Sequence, residues 1–425
     1  KGNANVPVSL FGLKKDSVIS KYWFKDIIGE KTVMIPKENE DRLALNYDKK
    51  IPEINQRNNW KSLKGFFSSN RKLKFQFFKD TENPFYNQVF YSPILGFNAY
   101  DGITPGMRLH NKSLLERPFT YDFAPSYATK QQNFVGYGKF NYRQYFSGRK
   151  LFATNFGLRA SSFHFDTNAR YTSVTPSVSW NWRPNDRRSN KFENLFFRYV
   201  NIYRDFDANV VDVDNPDYSV LNGRYINSDH GILKHFSWSV DAQLSKKFSK
   251  AALTMNYRKL FQNNRQLNLR FYAGKFISNN TDSGFFNFAL DRPTDYMFDY
   301  SYLGRSDDTG IYSQQIIIAE GGFKSKLENP FADDWLATIN ASTNLYRWIE
   351  VYGDIGYLKN QGHNHRFVYD AGIRLNLVTD YFELFLPVYS NNGWEISQPN
   401  YDEKIRFIVT LSPKALTGLF TRKWF

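Results

Sequence analysis

The sequence predicts an all-β fold: a transmembrane, outer-membrane-type antiparallel β-barrel of about 16–18 strands, preceded by a small remnant of a β-sandwich. Three observations carry this expectation. Aromatic residues make up 18% of the 425-residue chain, with 40 Phe and 28 Tyr, yet the mean hydropathy is −0.56. Soluble cores are built mostly from Leu, Ile and Val, so this weight of rings on a polar background points to amphipathic strands flanked by aromatic girdles. The second observation is alternation. In FVYDAGIRLNLV (367–378), Phe367, Tyr369, Ala371, Ile373, Leu375 and Leu377 are apolar, while Asp370, Arg374 and Asn376 lie between them. The third is the connections: read back from the C-terminus, SNNGWEISQPNYDE, VTD, KNQGHNH, the join at Arg347 and KSKLENPFADD alternate long and short, as the two rims of a membrane barrel do.

Residues 1–66 differ in texture from the rest of the chain. NVPVSLFGL, KTVMIP and RLALNYD are short β-like runs separated by charged or turn-rich pieces, the pattern of a β-sandwich. Two or three strands do not close a sandwich, so this region reads as a partial periplasmic β-sandwich and linker whose other half lies upstream. The opening on Lys1, without Met or a signal peptide, fits a chain that starts inside a longer protein.

Residues 67–411 read as the barrel, in alternating segments of about 8–15 residues, long enough to cross a bilayer. In FSWSVDAQLS, Phe236, Trp238, Val240, Ala242 and Leu244 oppose Ser237, Ser239, Asp241, Gln243 and Ser245. In IEVYGDIGYL, Ile349, Val351, Ile355 and Tyr357 oppose Glu350 and Asp354, and LNLRFYAG and IRFIVTL repeat the pattern. The apolar set, including Trp238, Ile373 and Phe407, is expected to face lipid and the polar set the lumen. An early pair at about 72–79 and 103–110 is weaker and decides between the two strand counts. Both termini are expected in the periplasm, with the longest loop at about 206–232 on the outside. In residues 412–425, Leu416, Leu419, Phe420 and Trp424 fall at helical spacing beside Lys414, Arg422 and Lys423, which predicts an interfacial tail.

The bulk charge narrows the partners. The formal net charge is +15, from 56 basic and 41 acidic residues, spread in ones and twos with no recognition motif, which argues against nucleic acid and for anionic outer-membrane lipid. Other outer-membrane proteins are further partners of a chain of this class. The chain has no cysteine, which removes disulfides and thiolate metal sites. No run of 18 apolar residues occurs, so no transmembrane helix is expected.

The stretches IPEINQRNNWKSLKGF (51–66), YDGITPGMRLHNKSLLERPF (100–119) and NYDEKIRFIVTL (400–411) resemble the C-terminal region of gluzincin-type, aminopeptidase-like zinc metallopeptidases of the Bacteroidota. The resemblance implies a barrel that anchors a catalytic domain outside this chain, with zinc held there. The zinc motif H-E-x-x-H, which sets two imidazoles on one helix face, is absent: none of His110, His164, His230, His235, His363 and His365 starts it. No catalytic, cofactor or metal residue is therefore assigned in this segment. The alternative function is a passive channel or a structural subunit of an outer-membrane complex.

The remaining candidates are weaker. His363 and His365 alternate on an extended segment, and His230 and His235 are five apart in what reads as a solvated loop. Asp212, Asp214 and Asp217 offer hard oxygen ligands of the kind calcium takes, without the Gly and terminal Glu of an EF-hand loop. Glu350, Asp354, Asp370, Arg374 and Arg406 either ring a permeation path or pair with one another to fill the interior; their mixed signs favour pairing.

Overall fold

The computed structural model describes residues 6–27, 31–36, 38–53, 55–64, 71–78, 82–113, 115–186, 188–205, 216–318, 320–379 and 381–409. The chain packs as two compact units, Lys1–Ser92 with Leu109–Arg117, and Pro93–Arg108 with Pro118–Phe425. The tail at 412–425 and the acids Asp212 and Asp214 lie outside the described residues.

In the first unit, β1 (Val8–Lys14), β2 (Ser17–Phe24), β3 (Arg42–Leu45) and β4 (Trp60–Ser62) form one sheet in the order β2-β1-β3-β4. Phe11, Leu13 and Ala44 are buried and pack with Tyr47 and Trp60. NVPVSLFGL and RLALNYD supply β1 and β3 as expected. KTVMIP does not form a strand: its residues have no ladder partner among the described residues, and Met34 is fully exposed. The strand that the alternation missed is β2, whose free edge leaves Val18 and Trp23 exposed.

The wall is a closed sheet of 18 strands. In chain order these are β5 (Lys72–Phe77), β6 (Tyr86–Asn98), β7 (Gly102–His110), β8 (Phe119–Ala128), β9 (Asn133–Tyr145), β10 (Leu151–Asp166), β11 (Ala169–Trp182) and β12 (Lys191–Asp205). They continue as β13 (Asp217–His230), β14 (Lys234–Ser245), β15 (Phe248–Leu260) and β16 (Gln266–Asn279). A two-residue pair, β17 (Phe288–Ala289) with β18 (Phe331–Ala332), stands apart from the wall. The wall resumes with β19 (Trp335–Tyr346), β20 (Ile349–Lys359), β21 (Arg366–Val378), β22 (Phe382–Ser390), β23 (Gly393–Trp394) and β24 (Arg406–Val409). Of the wall pairings described, β5 beside β6 is parallel and the others are antiparallel. The expected early pair at 72–79 and 103–110 is thus two separate wall strands, β5 and β7.

Side-chain parity follows the sequence. In β21, Phe367, Ile373 and Leu377 are 45, 37 and 59% exposed, whereas Asp370 is 2% exposed. Across the register, Ile355 lies opposite Tyr369 and Asp354 opposite Asp370, so one face of the β20–β21 pair is apolar and the other acidic. Phe236, Val240 and Leu244 repeat this outward stripe on β14, and Trp238 shares their parity. In β24, Arg406 and Ile408 are buried, and Phe407 has the outward parity. Carbon-rich side chains outside and charges inside invert the soluble pattern, which is how a barrel wall in lipid reads.

The loop expected at 206–232 is mostly strand. Residues 217–230 are β13, paired to β12 over Asp217–Asp229 and to β14 over Val220–His230. Its Asn, Asp and Gly content looks like a loop, but Asn222, Arg224 and Ser228 are lumen residues and need not be apolar. The longest connection is instead 280–334, between β16 and β19.

Because neighbouring strands are antiparallel, successive connections alternate between two rims. Connections 129–132, 167–168, 206–216, 246–247, 280–334, 360–365 and 391–405, the last of which carries the two-residue β23 beside the end of β22, share one rim, and 146–150, 183–190, 231–233, 261–265, 347–348 and 379–381 share the other. The expected long–short contrast holds from residue 280 onward. Before it, the two rims carry connections of similar length.

An arginine at position 373, near the middle of β21, is expected to cost about 2–4 kcal/mol of barrel stability, while Thr254→Ser on the lumen face of β15 is nearly silent. Urea unfolding of the detergent-folded protein checks this, and equal effects at the two positions contradict the assignment of faces.

Candidate functional site: the filled lumen

The connection 280–334 enters the barrel. It is dense in rings but does not alternate: Phe285, Phe286, Phe288, Tyr296 and Phe298 fall among Pro293, Pro330 and several glycines. Without a two-residue period it cannot be a wall strand, and its apolar groups need another surface. They find it on the inner wall. Phe286, Phe288, Leu290, Tyr296, Phe323 and Leu327 bury against Phe248, Tyr272, Phe276, Leu336 and Leu358. Each such ring or leucine is worth about 1.5–3 kcal/mol when fully buried. The β17–β18 pair ties the start of the insert to its end. Gly322, at φ +78°, sits where a Cβ would fall 2.7 Å from Asn340 Oδ1, so backbone and wall touch there.

Hydrogen bonds fix the insert around much of the circumference. Ala99 N donates to Leu303 O at 2.6 Å, and Tyr100 Oη to Asp307 at 2.7 Å. Ser306 Oγ donates to Phe165 O at 2.8 Å. Arg198 of β12 grips Asp299 through both terminal nitrogens at 2.8 Å. Tyr218 of β13 donates to Tyr296 O, and Tyr296 Oη to Gln243 of β14. On the far side, Ile316 N donates to Phe407 O at 2.9 Å and Phe407 N to Gln314 O at 3.1 Å.

The charges singled out in the sequence all lie inside and are paired. Arg374 bridges Glu350 at 3.0 Å and Glu383 at 2.6 Å. Arg406 faces Asp291 of the insert at 3.7 Å. Lys324 of the insert reaches Asp354 at 2.7 Å, and the backbone N–H groups of Lys324 and Ser325 donate to Asp370 at 2.6 and 2.7 Å. Asp354 and Asp370 are directly opposed, so one lysine serves two buried carboxyls. Lys250 of β15 is buried under Phe248, Phe276, Phe288 and Tyr296, 4.6–5.6 Å from their ring centres, and donates to Phe286 O at 2.7 Å. The rings and the carbonyl offset the cost of removing an ammonium from water.

A cavity of about 580 Å³ remains between the insert and strands β12–β16. Its walls carry Arg198, Arg224, Lys250 and Arg270 against Asp241, Asp295, Asp299 and Glu320, so the signs balance. Arg224 meets Asp241 at 2.7 Å, Asp295 meets Arg305, and Arg270 donates to Asn340 at 2.8 Å. The first and last of these lie within the wall and the second within the insert, and Arg198 with Asp299 joins the two.

The histidine candidates separate. His363 and His365 are exposed in the connection after β20, and His365 lies beside Trp335. His164 is buried with its Nδ1 2.6 Å from Asp101, and His110 packs near Phe90. His230 and His235 are not in a solvated loop. They face each other across the β13–β14 register, with their Nδ1 atoms 3.1 Å apart, because the four residues 231–234 turn the chain back between them. Asp217 begins β13. Among the described residues no three His, Asp or Glu side chains gather as a metal set. The feature the sequence reading missed is the insert itself. Its signal is a 55-residue stretch (280–334) rich in rings and lacking alternation.

These features define a class: an outer-membrane-type β-barrel whose lumen is occupied by its own chain. The sequence matches no family model and no curated protein. Among solved structures, the chain is similar to BamA from Haemophilus ducreyi lacking POTRA domains 1–3, at 11% identity and a TM-score of 0.40 over 73% of this chain and 70% of that one. It is also similar to CdiB from Acinetobacter baumannii, at 10% identity and a TM-score of 0.31 over 70% of this chain and 55% of that one. Neither superposes closely enough for residues to be compared.

Lys324→Met leaves Asp354 and Asp370 buried without their cation and is expected to cost about 3–5 kcal/mol. Limited proteolysis of the folded variant should cut within 280–334 while the wall stays intact, and an insert as resistant as in the parent protein contradicts the role given to Lys324.

Proposed function

We propose that this chain is an outer-membrane barrel that serves as an anchor rather than a pore. The observation supporting this is the insert: its groups bond to the β6–β7 turn and to β10, β12, β13, β14, β15, β19, β20, β21 and β24, and its rings share a core with the wall. A channel needs a water path through the wall's interior, and each of these contacts narrows one. In the anchor reading, the lumen charges make the interior rigid. In planar bilayers the protein is expected to show no steady conductance, and removal of 284–331 should open a large one. A steady open channel in the intact protein rules the anchor reading out.

What the barrel anchors is proposed from the resemblance in 51–66, 100–119 and 400–411: the catalytic domain of a gluzincin-type zinc metallopeptidase outside this chain, with the termini of the present chain in the periplasm. Zinc would belong to that domain, since this chain lacks the H-E-x-x-H spacing that holds it. Cells producing the full-length protein should then show chelator-sensitive aminopeptidase activity only after the outer membrane is permeabilised. Activity in intact cells places the domain on the surface instead, and no chelator-sensitive activity in either preparation removes the peptidase.

A further inference from the structure

The barrel's two rims carry opposite charge, and the basic one is unpaired. On the rim opposite the insert, five turns each bring at least one exposed cation: Arg149 and Lys150 in 146–150, Arg188 in 183–190, Lys234 just after 231–233, Arg265 in 261–265 and Arg347 in 347–348. None of the six side chains has an ion-pair partner among the described residues. The acid these five turns contain, Asp186, accepts from the backbone N–H of Arg188 at 2.9 Å. The sixth turn, 379–381, brings no cation. Exposed apolar groups sit between the charges: Ile232, Leu233, Phe261, Tyr346 and Trp348. On the insert rim the balance reverses. Asp282, Asp307, Asp308, Glu328, Asp402 and Glu403 lie there, and of its cations Lys247 pairs with Asp282 at 3.1 Å, Lys130 donates to Ala99 O at 2.7 Å and Lys246 stands exposed.

The lumen shows that this chain pairs its charges where they are meant to be neutral. Six exposed cations without partners, alternating with rings and aliphatic groups around one edge of a lipid-facing wall, make a surface for anions arrayed in a plane at the depth where apolar contact begins. Phospholipid headgroups meet that description: phosphate outermost and hydrocarbon directly beneath, with Trp and Tyr at the boundary. We propose that this rim is a binding surface for the anionic glycerophospholipids of the leaflet it touches, and that it sets the depth and direction of insertion. The proposal rests on the reading of the wall as membrane-spanning.

The test uses the full chain in bilayers of phosphatidylcholine containing a small fraction of spin-labelled lipid, with the motionally restricted component measured for each headgroup. Phosphatidylglycerol is expected to associate about fivefold more strongly than phosphatidylcholine at low salt, falling toward equality in 1 M NaCl. In the variant Arg149→Gln, Lys150→Gln, Arg188→Gln, Arg265→Gln, Arg347→Gln the preference should vanish at any salt, whereas Lys130→Gln with Lys246→Gln on the insert rim keeps it. If the fivefold substituted chain does not fold, the salt titration of the parent protein decides alone. Equal association of the two lipids at low salt overturns the proposal, as does a preference surviving either the substitutions or high salt. A stronger preference for spin-labelled lipid A than for phosphatidylglycerol overturns the assignment to glycerophospholipid. No restricted component with any lipid removes the membrane-spanning reading itself.

Discussion

A sheet crossing hydrocarbon has no water to satisfy the N–H and C=O groups of its edges, each of which costs several kcal/mol if left bare. The ladder must therefore close, and the rest of this molecule depends on that closure. A closed wall of this many strands encloses more space than its own side chains can fill. Its inner face is shielded from lipid and its outer face is immersed in it, so the two faces of every strand obey opposite rules. Ile355 and Tyr357 face out while Glu350 and Asp354 on the same strand face in.

The enclosed space poses the second problem, and the insert 280–334 answers it with two kinds of contact. One half of the lumen is filled by rings, where Phe286, Phe288 and Tyr296 meet Phe248, Tyr272 and Phe276. The other is held by charge, where Lys324 and the backbone beside it occupy Asp354 and Asp370. Buried ion pairs contribute little net stability compared with apolar packing. Their effect here is positional: a ring cluster tolerates sliding, but a lysine reaching one aspartate of β20, with its own N–H on the facing aspartate of β21, allows one register of insert against wall.

Much of this was legible in the sequence, and the rest was hidden for physical reasons. The alternation of FVYDAGIRLNLV gave the right face to Phe367, Asp370, Ile373 and Arg374, because lipid outside and polar lumen inside write a two-residue period. The same polar lumen disguised β13: Asn222, Gly223 and Asn227 read as turn residues, although the outward set Leu221 and Tyr225 marks a strand. KTVMIP misled in the other direction, since β-like composition makes a strand only where its side chains pack on a face, and Met34 is fully exposed. The insert was invisible to periodicity because it has none. Its length was the available clue, as a ring-bearing stretch of 55 residues without a period must bury its rings on something already built. The pairing of His230 with His235 required the register, which the four-residue turn 231–234 fixes but spacing alone does not show.

Charge placement separates what the protein does to itself from what it offers outward. Inside the barrel, Arg374 holds two glutamates, Arg198 holds Asp299 and Arg224 holds Asp241, so these lumen charges are locally neutralised. The formal charge of +15 must then be expressed elsewhere, and part of it stands on exposed turns opposite the insert. A wall that differs at its two ends in this way has one favoured direction in an asymmetric membrane, because reversing it sets the unpaired cations against a different leaflet and the acidic insert rim against the first. The insert closes the lumen from one end, and the opposite rim carries the charge that distinguishes that end from the other. In the proposed reading, occlusion and orientation thus have separate structural sources, the insert 280–334 for one and the basic turns for the other.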